Sequence, residues 1–156
     1  MKIIVRKPSP GYSLVELMVV VAIIVVLASA VLPLAEITVK RSKEIELRRA
    51  LRTLRIAIDK YKEATDKGLI EKKEGTYGYP PNLEVLVNGV KTAKGGEEIL
   101  KFLRRIPKDP MTNSTDWGLR SYQDEPDAKR WGRQNVYDVY SKSEATAIDG
   151  SRYCDW

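Results

Sequence analysis

The sequence predicts an α+β chain in which one long N-terminal helix, apolar in its first half and amphipathic in its second, packs on a small antiparallel sheet. Three observations predict it. Leu17 to Leu32 (LMVVVAIIVVLASAVL) carries no charge. Between Glu36 and Lys67, Leu47, Ala50, Leu51, Leu54, Ile58, Tyr61 and Thr65 recur at steps of three and four, one face of a helix. From Gly68 to Trp156 the chain is rich in turn residues and holds short alternating runs.

Composition excludes several function classes. The 156 residues suit one domain of ordinary size. Histidine is absent, so no Ser-His-Asp or Cys-His arrangement and no imidazole metal site can form. The single cysteine, Cys154, allows no intramolecular disulfide and no multi-thiolate zinc site. An enzyme is not expected. Half of the formal charge of +6 comes from Lys2, Arg6 and Lys7, ahead of the apolar run. The remaining excess is too thin and unclustered to point to nucleic acid.

Leu17 to Leu32 as a helix spans roughly 24 Å, short of the ~30 Å hydrocarbon core. Leu14 to Ala35 spans roughly 33 Å, enough to cross. That count takes in Glu16 and Pro33. An unpaired carboxylate costs about 2.5 kcal/mol or more at mid-bilayer and less near the interface, so Glu16 is expected at the cytoplasmic face or beside a partner. A cleaved secretory signal is the plainer reading, but Ser29-Ala30-Val31 fits a cleavage site only loosely, and helical patterning continues past Pro33. Lys40, Arg41 and Lys43 balance the basic residues before the run, so charge does not set orientation.

Beyond the run, no glycine or proline follows Pro33 until Gly68, which is placed to cap the helix after Lys67. Pro33 is expected to kink it. Tyr12 to Lys67 would make a nearly continuous helix of about 84 Å. Tyr77-Gly78-Tyr79-Pro80-Pro81-Asn82 reads as a rigid loop, and Leu83 to Val87 as a short helix capped by Asn82. Glu97 to Arg105 (EEILKFLRR) reads as a helix, with acids first and bases last. Leu119 to Gln123 and Asn135 to Ser141 read as strands. The expected organisation is a leader at 1–11, an apolar helix at 12–35, an amphipathic helix at 36–67 and an α+β domain at 68–156.

Gly11-Tyr12-Ser13-Leu14-Val15-Glu16, after a basic leader and before an apolar helix, resembles the processing motif of type IV pilins and pseudopilins. The resemblance implies that a prepilin peptidase cuts between Gly11 and Tyr12 on the cytoplasmic side and N-methylates Tyr12. It also implies that Glu16 compensates the new terminal amine of a neighbouring subunit in a filament. Tyrosine stands where the family usually has phenylalanine. Ser13 and Glu16 also have the spacing of a helix capping box, a purely structural account of the pair. Pro33 falls where the family commonly carries a proline. The body would then lie outside the inner membrane.

Ile106-Pro107-Lys108-Asp109-Pro110 and Val136-Tyr137-Asp138-Val139-Tyr140-Ser141, with Tyr79-Pro80, look like the major pseudopilin of bacterial type II secretion systems. Lacking a second cysteine to close a C-terminal loop favours that branch over many type IV pilins. Major pseudopilins typically bind calcium in that loop. Here Ser141 to Trp156 offers only Glu144, Asp149 and Asp155, with Lys142 and Arg152 among them, and calcium needs six to eight oxygens. A loop closed by Asp149-Gly150 turn chemistry and a packed Trp156 is an equal reading, and no metal is assigned.

The expectation is a pseudopilus subunit anchored once in the bacterial inner membrane with a periplasmic C-terminal domain. It then polymerises through its helix into a periplasmic filament that drives export of folded proteins. Implied partners are further copies, minor pseudopilins, the prepilin peptidase, an inner-membrane assembly platform and a cytoplasmic ATPase. The mixed charges of Lys40 to Arg55 are expected to set subunit register. Two rivals stand: a type IV pilin, major or minor, forming a surface fibre for adhesion, motility or DNA uptake, and a monomeric anchored binding domain.

Overall fold

No glycine and a single proline interrupt the sequence between Leu14 and Asp66, and the computed structural model carries one α-helix, α1 (Leu14–Asp66), over that span. The structure describes residues 11–93 and 98–156, the side chains of 30–33 excepted. Residues 1–10 of the leader and the Gly95-Gly96 pair fall outside the described residues. Two compact units result, Met1–Val39 and Lys40–Trp156.

In the second unit, α1 ends as Gly68 suggests. Gly68 sits at φ +68°, where only glycine is at ease, and its N–H donates to the Thr65 carbonyl at 2.9 Å. The Leu69 N–H reaches back to the Ala64 carbonyl at 2.9 Å, completing a Schellman cap. The apolar stripe is buried as its spacing requires: Leu47, Leu51, Leu54, Ile58 and Tyr61 line one side of the core. Leu86, Trp117, Val136, Val139 and Tyr153 cover them from the body.

The short helix is α2 (Glu84–Asn88), and Asn82 does cap it, its Oδ1 accepting from the Val85 N–H at 3.1 Å. The strands are β1 (Val90–Lys91), β2 (Ile99–Leu100), β3 (Gly118–Arg120) and β4 (Asp138–Tyr140). They form two separate antiparallel pairs rather than one sheet, β1 with β2 and β3 with β4. Val90 stands opposite Leu100, and Leu119 opposite Val139. A 3₁₀ turn, Tyr153–Asp155, follows.

Two expectations need correction. The helix expected over Glu97 to Arg105 does not form among the described residues, since Ile99–Leu100 is a strand and the chain beyond it is irregular. A nine-residue helix is weak alone in water, and here tertiary partners outbid it. Phe102 and Leu103 both donate their N–H groups to the Leu86 carbonyl, at 3.0 and 2.9 Å, which brings Leu103 into the core and Phe102 onto the Tyr61 ring.

The other two strands are shorter than expected because side chains intercept the ladder. Asp124 takes the Ser121 N–H at 2.7 Å, and Asn135 Oδ1 takes the Tyr122 N–H at 2.9 Å.

Gly89 makes the turn between α2 and β1 at φ +86°. A Cβ there would lie 2.8 Å from the Leu100 carbonyl oxygen, a backbone atom that cannot swing aside. Gly89→Ala is expected to cost about 1–3 kcal/mol, read as a lower thermal midpoint.

Candidate processing and assembly site

The first unit holds residues suited to leaving water. Tyr12 is 85% exposed and Leu14 76%, and the most covered large apolar side chains before Ala30, Val20 and Val21, are still 49% exposed. A row of valines, isoleucines and leucines exposed on every side of a helix has no stable place in water. Each would gain about 1.5–3 kcal/mol on full burial. Length and composition suffice to cross a membrane.

Around this row the site residues are placed simply. Gly11 precedes the helix, and a Cβ added there would meet nothing within 4 Å. Packing against the described residues therefore does not demand the glycine. The Ser13 carbonyl accepts the first helical bond, from the Leu17 N–H at 3.1 Å. Glu16 lies in the first turn, where the helix dipole favours a carboxylate. The capping box is not made: neither the Ser13 nor the Glu16 side chain bonds another described residue. α1 runs through position 33, where proline has no N–H to give the Ser29 carbonyl. The Pro33 side chain, and with it the expected kink, lies outside the described side chains.

In the second unit the C-terminal loop is closed by the protein itself. Glu44 on α1 accepts at one oxygen from the Ile148 N–H (2.8 Å) and the Tyr153 hydroxyl (2.9 Å). Asp149 accepts from the Ser151 N–H and hydroxyl, which hold its carboxyl below the usual range, with Arg48 adding at 3.5 Å. The Arg152 guanidinium holds Asp155 low in the same way. Arg48 lies over the Trp156 ring at 4.1 Å, and the indole N–H donates to Ser151 Oγ at 2.7 Å. Arg55 donates to Asp138 at 2.7 Å and to the carbonyls of Val139 and Trp156, each at 3.1 Å.

This donor set does not fit calcium. Glu144 is exposed, Asp149 and Asp155 are engaged by different partners, and no three acidic or cysteine side chains converge among the described residues.

Sequence reasoning missed Glu44 and Arg55, whose partners lie 83 to 109 positions away. It missed the fully buried Asp109 as well, which accepts from the Met111 N–H (2.7 Å) and the Ser141 hydroxyl (2.6 Å). That pair joins the two C-terminal motifs quoted above. Trp117 and Trp131 act as anchors, their indole N–H groups donating to Pro107 and Asn135 carbonyls.

Residues 6–32 match the family model of the prokaryotic N-terminal methylation motif. The motif indicates a type IV pilin-like, prepilin-processed protein. It implies a prepilin peptidase and filament assembly in general, and with the apolar helix it suggests a membrane-anchored start. No curated protein and no solved structure matches the chain. The α+β fold, a long N-terminal helix with small antiparallel sheets, is consistent with the type IV pilin-like class.

Burial and the bond to Glu44 push the Tyr153 hydroxyl up to about 12. The folded state thus favours the neutral phenol. Its contribution is complete below about pH 10, the ordinary tyrosine value, and is lost as pH rises through about 12. Melting curves from pH 9 upward should show a steeper alkaline loss for the wild type than for Tyr153→Phe.

Proposed function

We propose that the chain is a structural subunit of a type II secretion pseudopilus. The observation that carries this reading is the methylation motif running into an apolar helix that the chain leaves uncovered. In this reading a prepilin peptidase cuts between Gly11 and Tyr12 and methylates the Tyr12 amine. A glycine whose Cβ position meets none of the described residues suits a segment that a peptidase must grip closely.

The subunit catalyses nothing itself. Its uncovered apolar side chains are satisfied first by lipid and then by other copies. Glu16 meets the terminal ammonium of an adjacent copy in that apolar bundle. Removing one partner of such a pair strands the other charge at a cost of about 3–5 kcal/mol. Growth of the filament in the periplasm, driven by a cytoplasmic ATPase through an inner-membrane platform and begun with minor pseudopilins, would move folded proteins across the outer membrane. The C-terminal motifs and the lone Cys154 support the secretion branch over a surface fibre.

Mass spectrometry of the chain purified from membranes should find it beginning at a singly methylated Tyr12. An intact leader with an unmethylated terminus would overturn the reading in favour of a simple anchor. Glu16→Ala should still be cut at Gly11 yet lose assembly by about a hundredfold or more, as co-sedimentation with wild-type filaments would show. Long external fibres at native expression would place the chain among surface pilins instead.

A further inference from the structure

Four tyrosine rings meet on the surface of the second unit. Tyr122 lies at their centre, its ring centroid 5.2 Å from that of Tyr77, 5.8 Å from Tyr79 and 5.4 Å from Tyr137. Tyr79 and Tyr137 close the group at 5.2 Å. Packing on one another leaves much of these rings in water: Tyr77 and Tyr122 are each 52% exposed and Tyr137 46%. Single exposed apolar residues are ordinary, but a contiguous group of them marks a contact surface.

The patch is built rather than incidental. Tyr77 stands at φ +54°, a conformation that is costly for a bulky side chain. That cost serves no core, since half of the side chain is exposed. The Thr76 hydroxyl holds the turn by donating to the Lys73 carbonyl at 2.8 Å and accepting from the Gly78 N–H at 3.3 Å. Behind Tyr122, the fully buried Asn135 uses both ends of its side chain. Its Oδ1 accepts from the Tyr122 N–H and its Nδ2 donates to Gln123 Oε1, both at 2.9 Å. Gln123 in turn donates to the Gly75 carbonyl at 3.1 Å, which ties the loop of Tyr77 to the loop of Tyr122. The rings are thus set before any ligand arrives, and little ordering is left to be done on binding.

We propose that this platform binds a neutral glycan, with sugar rings stacked on Tyr77 and Tyr122 and sugar hydroxyls bonded to the polar groups beside them. The patch lies wholly within the folded body and adds a function to the filament reading without depending on it.

A pyranose offers a face of C–H groups and a rim of hydroxyls. The C–H face suits the negative face of an aromatic ring. An open depression of about 290 Å³ adjoins Tyr77, and the rest of its lining is Lys72, Lys73, Glu74 and Gly75. An aliphatic protein surface finds no apolar partner there beyond the tyrosine. Glu71, Lys72, Lys73 and Glu74 run acid, base, base, acid and sum to no net charge. All four are exposed, and among the described residues none is engaged in a salt bridge. A polyanion would meet as many acids as bases here, whereas hydroxyls need donors and acceptors alike.

The test titrates the full-length chain, in a detergent without sugar groups, with chitohexaose and cellohexaose, two uncharged hexasaccharides, by calorimetry. At least one should bind saturably, with a Kd of about 0.01–1 mM. Tyr122→Ala should weaken that binding about tenfold, and Tyr77→Phe should retain it, because the ring rather than the hydroxyl carries the stack. Tyr77→Gly is the sharper variant. It removes the ring and the backbone cost together, so its thermal midpoint should match the wild type while its binding falls about tenfold. Saturable binding of neither hexasaccharide, or undiminished binding by Tyr77→Gly, would overturn the proposal. Tighter binding of hexagalacturonate would overturn it in favour of an anionic ligand, and tighter binding of a ten-proline peptide in favour of an extended protein segment.

Discussion

The body of this protein depends on the seam between the second half of α1 and everything that follows Gly68. Each two-stranded sheet is too small to be stable in water, and α2 is little more than one turn. What joins them is shared burial against Leu47, Leu51, Leu54, Ile58 and Tyr61. Leu47, Leu54 and Ile58 have no exposed surface at all, and Val136 and Val139 meet that condition from the other side. Without this stripe, the loops would have no second layer to fold against.

Much of this was legible in the sequence because it rests on local periodicity. The helix, its apolar and amphipathic halves and its stop at Gly68 follow from spacing and from one residue that tolerates positive φ. Asn82 ahead of α2 follows from capping chemistry. The segment from Glu97 to Arg105 was misread for a physical reason. Its charge order favours a helix, but the Leu86 carbonyl and the β1 edge offer its amides better partners, and those partners come from another part of the chain. The paired strands of β3 and β4 were visible, but their early ends were not, since Asp124 and Asn135 compete for the ladder amides from the loops.

The candidate site divides along the same line. Gly11, Tyr12 and Glu16 are consecutive enough to be found as a motif, and the family match falls on that stretch. The C-terminal loop was harder. Its acids were countable from sequence, but not which of them would be spent on Ser151 and Arg152, nor that Glu44 would reach across to hold Ile148 and Tyr153. A carboxylate on the helix thus closes the loop from about a hundred positions away.

Arg55 shows what such closure asks of one side chain. Its guanidinium addresses a carboxylate on β4, a β4 carbonyl and the Trp156 carbonyl at the same time. A planar fork with several fixed donors can do this, whereas an ammonium on a flexible stem presents a single point of charge. Conservative replacement is therefore not conservative at this position: a lysine would keep the charge but could not hold Asp138 and the Val139 and Trp156 carbonyls at once.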